Sequence, residues 1–282
     1  MQVSNKRSLG NWLSLLSQTE IPVLKSTGEQ LTALLEDEES MSARKVARIV
    51  LGDPLMTVKL LHYLQLHRPS HQYTEIIQVE QALLMLGLKK FYDRIPFQPV
   101  VEHLLEPHPW ALIELGPVLE RAARAADYAI EWAVRLNDLR FHEVYVAALL
   151  HDVAEILLWC FAPKDMLLIR EHQIEDRTLR SQTVQEKVLG FPISELQRLL
   201  AKEWSLPKLL TTLMDDSLQR QTRVRNVTLA VNLARHSANG WDDPALPDDF
   251  HHIAALLHLP VDQVKDLVHA TPVYQSRFDS YE

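Results

Sequence analysis

Two neighbouring residues near the middle of the chain, His151 and Asp152, have side chains that could bind a metal ion. Imidazole nitrogens and carboxylate oxygens are common metal ligands, and a metal held in this way can activate water for hydrolysis. The pair lies within the most apolar stretch of the sequence, where a charged group is seldom buried without partners. The residues alone allow two interpretations: a metal site, or a buried His–Asp pair that forms hydrogen bonds with neighbouring helices.

A hydrolytic metal needs three or more protein ligands and an open position for water. Adjacent residues point about 100° apart around a helix, so this pair could supply two ligands at a helix edge. His142 cannot supply a third, because its spacing from His151 places it on roughly the opposite face and about 13 Å along the axis. The remaining ligands must therefore come from neighbouring helices.

The surrounding sequence predicts an all-α fold. Only 7 glycines occur in 282 residues, and the 15 prolines mostly lie between segments with helical periodicity. Asp53 is suited to an N-cap position with Pro54 in the first turn, and Pro117 is predicted to open a long helix. The segment 143–161 is apolar on nearly all sides, which predicts a central, buried helix that carries His151 and Asp152.

Composition excludes several classes of protein. The net charge is −8 and the pI about 5.9, without the basic stripe of a nucleic-acid-binding protein. The apolar stretch is interrupted by charged residues, so we predict no membrane span, and residues 1–10 contain no signal-peptide pattern. The single cysteine, Cys160, is interpreted as a small core residue. We therefore expect a cytoplasmic protein.

An ordered series of short motifs resembles one known family. The run 147–155, Ala-Ala-Leu-Leu-His-Asp-Val-Ala-Glu, resembles the core of HD-superfamily phosphohydrolases. Over roughly residues 15–240, the chain resembles the HDOD family, the HD-related output domains of bacterial signalling proteins. The further matching segments are residues 21–24, 47–50, 53–55, 59–61, 81–88, 189–190 and 204–207.

The resemblance implies a multi-helix HD-like bundle with an N-terminal helical subdomain. Residues 1–105 would form the N-terminal half of the HDOD-like domain, residues 106–240 the HD-like half, and residues 241–282 a helical extension. Members of this family are generally linked to bacterial signal transduction.

Several departures from the HD pattern predict a degenerate metal site. Where active HD enzymes carry an earlier histidine, this chain has Arg121 or Ala122, and the later aspartate corresponds to Asn232. The paired downstream histidines of other members correspond to residues 215–216, which are both aspartates. His151 and Asp152 would then be a vestigial pair, in which Asp152 could accept a hydrogen bond from Arg121 in place of a metal.

We expect no catalytic residues, cofactor or bound metal; any metal that did bind would use His151 and Asp152. His236, one turn from Asn232, is the one candidate for a substitute ligand.

Three functions are compatible with these features. The first is a non-catalytic signalling or interaction module; with no fused receiver or enzymatic domain expected, it would act through signalling proteins as partners. The second is a metal-dependent phosphohydrolase or phosphodiesterase that acts on a nucleotide. The third is a nucleotide sensor without turnover, in which Arg121, Arg124 or Lys187 could contact phosphate.

Overall fold

α-Helices form almost all of the regular structure in the computed structural model, which describes residues 7–37, 41–68, 75–176 and 179–270. In these ranges, the only extended pairing is an isolated parallel bridge between Val23 and Val100. The all-α prediction is confirmed. Residues 1–6 of the predicted N-terminal half and residues 271–282 of the predicted helical extension lie outside the described residues.

Seven helices precede residue 105 within the described ranges. They are α1 (Leu9–Gln18), α2 (Lys25–Glu36), α3 (Ala43–Leu51), α4 (Pro54–Leu66), α5 (Val79–Leu86), α6 (Leu88–Arg94) and α7 (Val101–Leu104).

Ten further helices follow in the described part of the chain. They are α8 (Pro109–Arg135), α9 (Phe141–Leu150), α10 (Val153–Phe161), α11 (Pro163–Glu175), α12 (Ser181–Leu189), α13 (Ile193–Glu203), α14 (Lys208–Leu213), α15 (Thr222–His236), α16 (Leu246–Leu257) and α17 (Val261–Ala270). Two short 3₁₀ turns, Asp216–Leu218 and Ser237–Asn239, flank α15.

The predicted start of α4 is confirmed. Asp53 is completely buried, and its Oδ1 accepts hydrogen bonds from the backbone N–H groups of Leu55 (2.8 Å) and Met56 (3.1 Å). Pro54 occupies the first turn, where a missing N–H group costs nothing. The other carboxylate oxygen, Oδ2, accepts a hydrogen bond from the N–H of Leu24 at 2.9 Å, so one side chain both caps α4 and fixes the approach to α2.

Lys59, one turn further along α4, is also buried. Its Nζ donates to the carbonyl oxygens of Ile21 (2.9 Å) and Gln98 (2.8 Å) and lies 2.7 Å from the carboxylate of Glu20. These contacts hold together the two extended segments that carry the bridge between residues 23 and 100. We refer to Asp53, Lys59 and their partners as the N-terminal junction.

The predicted start of the long central helix was wrong. Helix α8 begins at Pro109, and Pro117 lies inside it. An internal proline leaves the carbonyl of the residue four positions earlier without its helical donor. That residue is Ile113, which is 75% exposed, and the helix continues through Pro117.

The predicted helix over residues 143–161 is broken at its centre. Helix α9 ends at Leu150, α10 begins at Val153, and His151 and Asp152 form the turn between them. A buried side chain from α13 stabilises the break: Gln197 accepts a hydrogen bond from the N–H of Ala154 (2.7 Å) and donates one to the carbonyl of Leu150 (2.9 Å). These bonds satisfy backbone groups on both sides of the turn, and no local pattern in residues 143–161 indicates them.

The segment Phe141–Phe161, which contains α9 and α10, is the one part of the described chain long and apolar enough to cross a membrane. Its mean hydropathy is 1.7, and 78% of its apolar window is buried inside the protein. Such burial is typical of the core of a soluble protein. This segment packs against α8, which also contacts α15 extensively, and these elements position the polar residues described next.

Candidate functional site

Five elements bring charged side chains together around the α9–α10 turn. Helix α8 contributes Arg121, the turn contributes His151 and Asp152, and α15 contributes Arg235. The 3₁₀ turn before α15 contributes Asp216. We refer to these residues, together with Glu155 of α10, as the His–Asp cluster.

Asp152 lies at the centre of the cluster and is contacted by two guanidinium groups. The Nη2 of Arg121 is 3.4 Å from Oδ2, and the Nη2 of Arg235 is 3.3 Å from Oδ1 and 3.5 Å from Oδ2. The Arg121–Asp152 hydrogen bond expected from the sequence is therefore present. Arg121 makes a shorter contact with Glu155, at 2.7 Å from Oε2.

His151 uses both of its ring nitrogens within the cluster. Nδ1 lies 3.1 Å from Oδ1 of Asp152, and Nε2 lies 3.3 Å from Oδ1 of Asp216. The same Oδ1 of Asp216 accepts a hydrogen bond from the hydroxyl of Thr228 at 2.7 Å. The imidazole therefore bridges two carboxylates that come from different parts of the chain.

The electrostatics of the cluster favour the charged form of each group. Burial lowers the pKa of His151, but its hydrogen bonds to Asp152 and Asp216 outweigh burial and raise the pKa to about 9. Burial raises the pKa of Asp152, but the charge of Arg235, the hydrogen bond from His151 and the charge of Arg121 hold it well below its usual range. For Asp216, the bonds from His151 and Thr228 likewise outweigh burial and lower the pKa.

Burial also lowers the pKa of Arg121, but Glu155 and Asp152 outweigh it and raise that pKa above its already high value. With His151 protonated at neutral pH, three cations face three carboxylates. The cluster is thus internally neutral, which is the arrangement that makes burial of so many charged groups tolerable.

The residues that the resemblance aligns with HD metal ligands have different surroundings. Ala122 is buried beside Arg121, and Asn232 is half-buried on α15, but the α15 side chain that reaches Asp152 is Arg235. His236 does not substitute as a ligand: its Nδ1 lies 2.6 Å from Oδ2 of Asp249 on α16.

Two other residues considered in the sequence serve local structure. Asp215 accepts hydrogen bonds from the N–H (3.0 Å) and hydroxyl (2.6 Å) of Ser217 and so caps the 3₁₀ turn. Arg124 donates to the hydroxyl of Tyr128 at 3.2 Å on the same helix. Lys187 lies on α12 and does not belong to the cluster.

Sequence reasoning missed Arg235, Glu155 and Gln197 as neighbours of the pair. Arg235 lies three residues after Asn232, and residues at that spacing share a helix face, so the position that the resemblance aligns with the HD aspartate already indicated it. Glu155 lies three residues after Asp152, so the same spacing could have identified it as a neighbour of the pair. Gln197 offered no such signal, because its contact joins segments more than forty residues apart.

The arrangement does not fit the metal that HD-type sites bind. A ligand imidazole must present an unprotonated nitrogen to the metal, whereas both ring nitrogens of His151 face carboxylates. The carboxylate of Asp152 is contacted by two guanidinium groups, which repel a divalent cation. Within the described residues, no group of three or more His, Cys, Asp or Glu side chains is arranged to hold a metal ion.

Comparison with protein families gives one match: the HDOD domain profile matches residues 21–219. This range contains Asp53 and Lys59 of the N-terminal junction and most of the His–Asp cluster, and it ends before α15. A search of curated proteins found no significant match.

Two solved structures resemble the fold at low sequence identity. The MmoQ response regulator from Methylococcus capsulatus has a TM-score of 0.65 and 17% identity, over 88% of this chain and 98% of that one. A virulence factor from Campylobacter jejuni subsp. jejuni has a TM-score of 0.62 and 21% identity, over 88% of this chain and 90% of that one. At these identities, the similarity establishes the fold and nothing more specific.

Proposed function

Because the chain belongs to the HDOD family, we propose that it is a non-catalytic, cytoplasmic signalling module that acts by binding partner proteins. One observation carries the non-catalytic part of the proposal: Asp152, the residue best suited to hold a metal, is contacted by the guanidinium groups of Arg121 and Arg235. Two guanidinium groups therefore lie beside the carboxylate with which an HD-type enzyme would hold a divalent metal cation.

The His–Asp cluster then has a structural role. It joins α8, the α9–α10 turn, the 3₁₀ turn before α15 and the end of α15 through charge pairs, and most members of these pairs are largely buried. A neutral set of paired charges fixes the relative positions of these elements, because moving one element would leave a buried charge without its partner. On this proposal, the protein needs no cofactor.

The metal content of the purified protein tests the non-catalytic part. Elemental analysis for iron, manganese and zinc should give much less than one ion per chain. About one ion per chain, lost in His151→Ala and retained in the control His142→Ala, would contradict the proposal. His142 is a suitable control because its ring lies beside Phe141, outside the cluster.

Activity assays test the competing hydrolase. A panel of cyclic dinucleotides, nucleotides and generic phosphoesters with Mn²⁺ should show no turnover above background. Turnover that is abolished by Asp152→Asn would support a phosphohydrolase with an unusual metal site instead.

The nucleotide-sensor alternative has less support from the geometry. It needs cations free to contact phosphate, whereas Arg121 contacts Asp152 and Glu155, and Arg124 contacts Tyr128. Thermal denaturation with a nucleotide panel should therefore show no stabilisation.

A test of the partner-binding part of the proposal requires the protein in its own host. Quantitative affinity capture in several growth states should recover a reproducible protein partner. If no protein partner is recovered reproducibly in any growth state, the proposal of an interaction module is contradicted.

A further inference from the structure

The corner between α8 and α9, residues 136–140, presents an almost fully exposed leucine. Leu139 is 91% exposed, and Val134, in the last turn of α8, is also exposed. A single exposed apolar side chain is ordinary on a protein surface. This corner differs because hydrogen bonds hold the backbone on both sides of Leu139, and because the side chains that flank it carry exposed charge of one sign.

Backbone groups immediately before and after Leu139 are hydrogen-bonded. Asn137 adopts a left-handed conformation with a φ of 56°, and the N–H of Asp138 donates to the carbonyl of Ala133 at 2.9 Å, which closes the end of α8. The Oδ1 of Asp138 accepts a hydrogen bond from the N–H of Arg140 at 2.9 Å. The chain therefore reaches and leaves the leucine in a defined conformation.

Arg223, in the first turn of α15, fixes the corner to the rest of the fold. Its Nε donates to Oδ2 of Asp138 at 2.7 Å, and its Nη2 donates to the carbonyl oxygen of Arg140 at 2.9 Å and to Oε2 of Glu143 at 2.7 Å. A residue on a backbone that is already ordered loses less conformational entropy on binding than one on a mobile loop. Leu139 is therefore suited to act as an anchor for another molecule.

The side chains that flank Leu139 present positive charge to solvent. Arg135 and Arg140 are 48% and 64% exposed, whereas the carboxylates with which they pair, Glu131 and Glu143, are 13% and 14% exposed. Each arginine thus lies nearer to solvent than its carboxylate. The contact between Arg140 and Glu143 is also long, at 3.9 Å, and such exposed pairs contribute little, so the guanidinium can move to a new partner at small cost.

We propose that the α8–α9 corner is the docking surface for a partner protein, and that the partner contributes an apolar pocket edged by carboxylates. Leu139 would enter the pocket, and Arg135 and Arg140 would pair with the carboxylates. This inference rests on the proposed signalling function, which requires a protein partner, and adds where that partner binds and what chemistry it presents. The chain has a net charge of −8, but charges more than about 10 Å apart are largely screened at an ionic strength of about 0.1 M, so the local positive charge decides the contact.

Photo-crosslinking in the native host tests the location. A benzophenone amino acid at position 139 should form a covalent adduct with one protein, the same protein that affinity capture recovers. The same group at position 113, where Ile113 is another exposed apolar residue of α8, is the matched control and should give no adduct. Mass spectrometry of the adduct should place the crosslink on an apolar surface of the partner next to aspartate or glutamate residues.

Titration calorimetry with the partner identified in this way tests the chemistry. Leu139→Ala should weaken binding at least about tenfold, and Arg140→Ala about fivefold, because the first removes the apolar anchor and the second a pairing charge. Arg140→Lys keeps the charge and should recover most of that loss. Ile113→Ala and Arg198→Ala, which change exposed residues of α8 and α13, are the matched controls and should leave the affinity unchanged.

The outcomes separate this inference from the proposed function. A partner that crosslinks from position 113 as well as from position 139, or that binds Leu139→Ala and Arg140→Ala as tightly as the unaltered chain, would overturn the docking surface and leave the signalling function in place. A crosslinked site rich in lysine and arginine would contradict the charge complementarity. Adducts between two copies of this chain would overturn the proposed occupant. If affinity capture recovers no partner and no adduct forms at position 139, both proposals are wrong.

Discussion

The N-terminal junction and the His–Asp cluster both bury charged groups. Burial sets the direction of the pKa shifts at the junction, whereas ion pairing sets it in the cluster. At the junction, burial raises the pKa of Asp53 and lowers that of Lys59, despite the hydrogen bonds that each forms. In the cluster, partner charges outweigh burial, so the pKa of Asp152 falls and that of His151 rises to about 9.

The partners explain the difference. Asp53 accepts hydrogen bonds from three backbone N–H groups, and Lys59 donates to two backbone carbonyls, so the main chain satisfies most of their bonding capacity. The cluster residues bond mainly to one another's side chains. A junction that depends on the main chain cannot change without changing the fold, whereas side-chain partners can be exchanged by substitution.

The largest expected effect is at the junction. Asp53→Ala removes the N-cap of α4 and leaves the buried N–H groups of Leu24, Leu55 and Met56 without acceptors. We expect a loss of about 4 kcal/mol in the free energy of unfolding, measured by urea denaturation. Asp93→Ala, at an exposed position on α6, should change it by less than about 0.5 kcal/mol. If the two variants lost similar stability, the main-chain role of Asp53 would be wrong.

The second effect tests whether the cluster depends on paired side chains. Asp152→Ala removes the shared partner of Arg121, Arg235 and His151. We expect a loss of about 3 kcal/mol, because each cation loses a carboxylate contact and the buried Arg121 and His151 keep only one each. Adding Arg121→Met, which removes one of those cations, should restore about 1 kcal/mol or more. Urea denaturation of the two single variants and the double variant measures this coupling. Strictly additive losses would contradict an exchangeable set of side chains.

These two regions also show how far the sequence carries the prediction. The Asp53-Pro54 cap was predicted correctly, because an N-cap is a local feature whose partners lie within three residues. The Arg121–Asp152 contact followed from the resemblance to HD proteins. Pro117 misled the prediction because whether a helix tolerates proline depends on the solvent exposure of the preceding turn.

The break at His151 and Asp152 lay beyond prediction from this segment alone. The apolar pattern of residues 143–161 is compatible with one continuous helix, and the turn depends on Gln197, a residue of α13. Similarly, the pairing of His151 with Asp216 depends on how the 3₁₀ turn before α15 is placed by tertiary packing. Long-range contacts of this kind leave no periodicity that a single sequence displays.

The third prediction concerns pH. The folded pKa of His151 is about 9, above its ordinary value of 6.5, so its contribution to stability is fully present below pH 6.5 and is lost as the pH rises through 9. Between pH 7 and 9.5, we expect the free energy of unfolding to fall by about 2 kcal/mol through this group. Urea denaturation across this range, compared with His151→Gln, measures the contribution. A parallel pH dependence in the two proteins would show that His151 is not held charged by Asp152 and Asp216.

The smallest effect separates the two arginines within the cluster. The side chain of Arg235 is 40% exposed and its contacts with Asp152 are long, whereas that of Arg121 is 14% exposed and lies 2.7 Å from Glu155. Partly exposed ion pairs contribute little, so Arg235→Ala should cost less than about 1 kcal/mol.

Arg121→Ala should cost about three times as much, because it leaves Asp152 and Glu155 without their shared buried cation. Urea denaturation of both variants at neutral pH gives the ratio. Equal losses would mean that the cluster shares its charge evenly over both arginines. A larger loss for Arg235→Ala would mean that the main cation paired with Asp152 comes from α15 and not from α8.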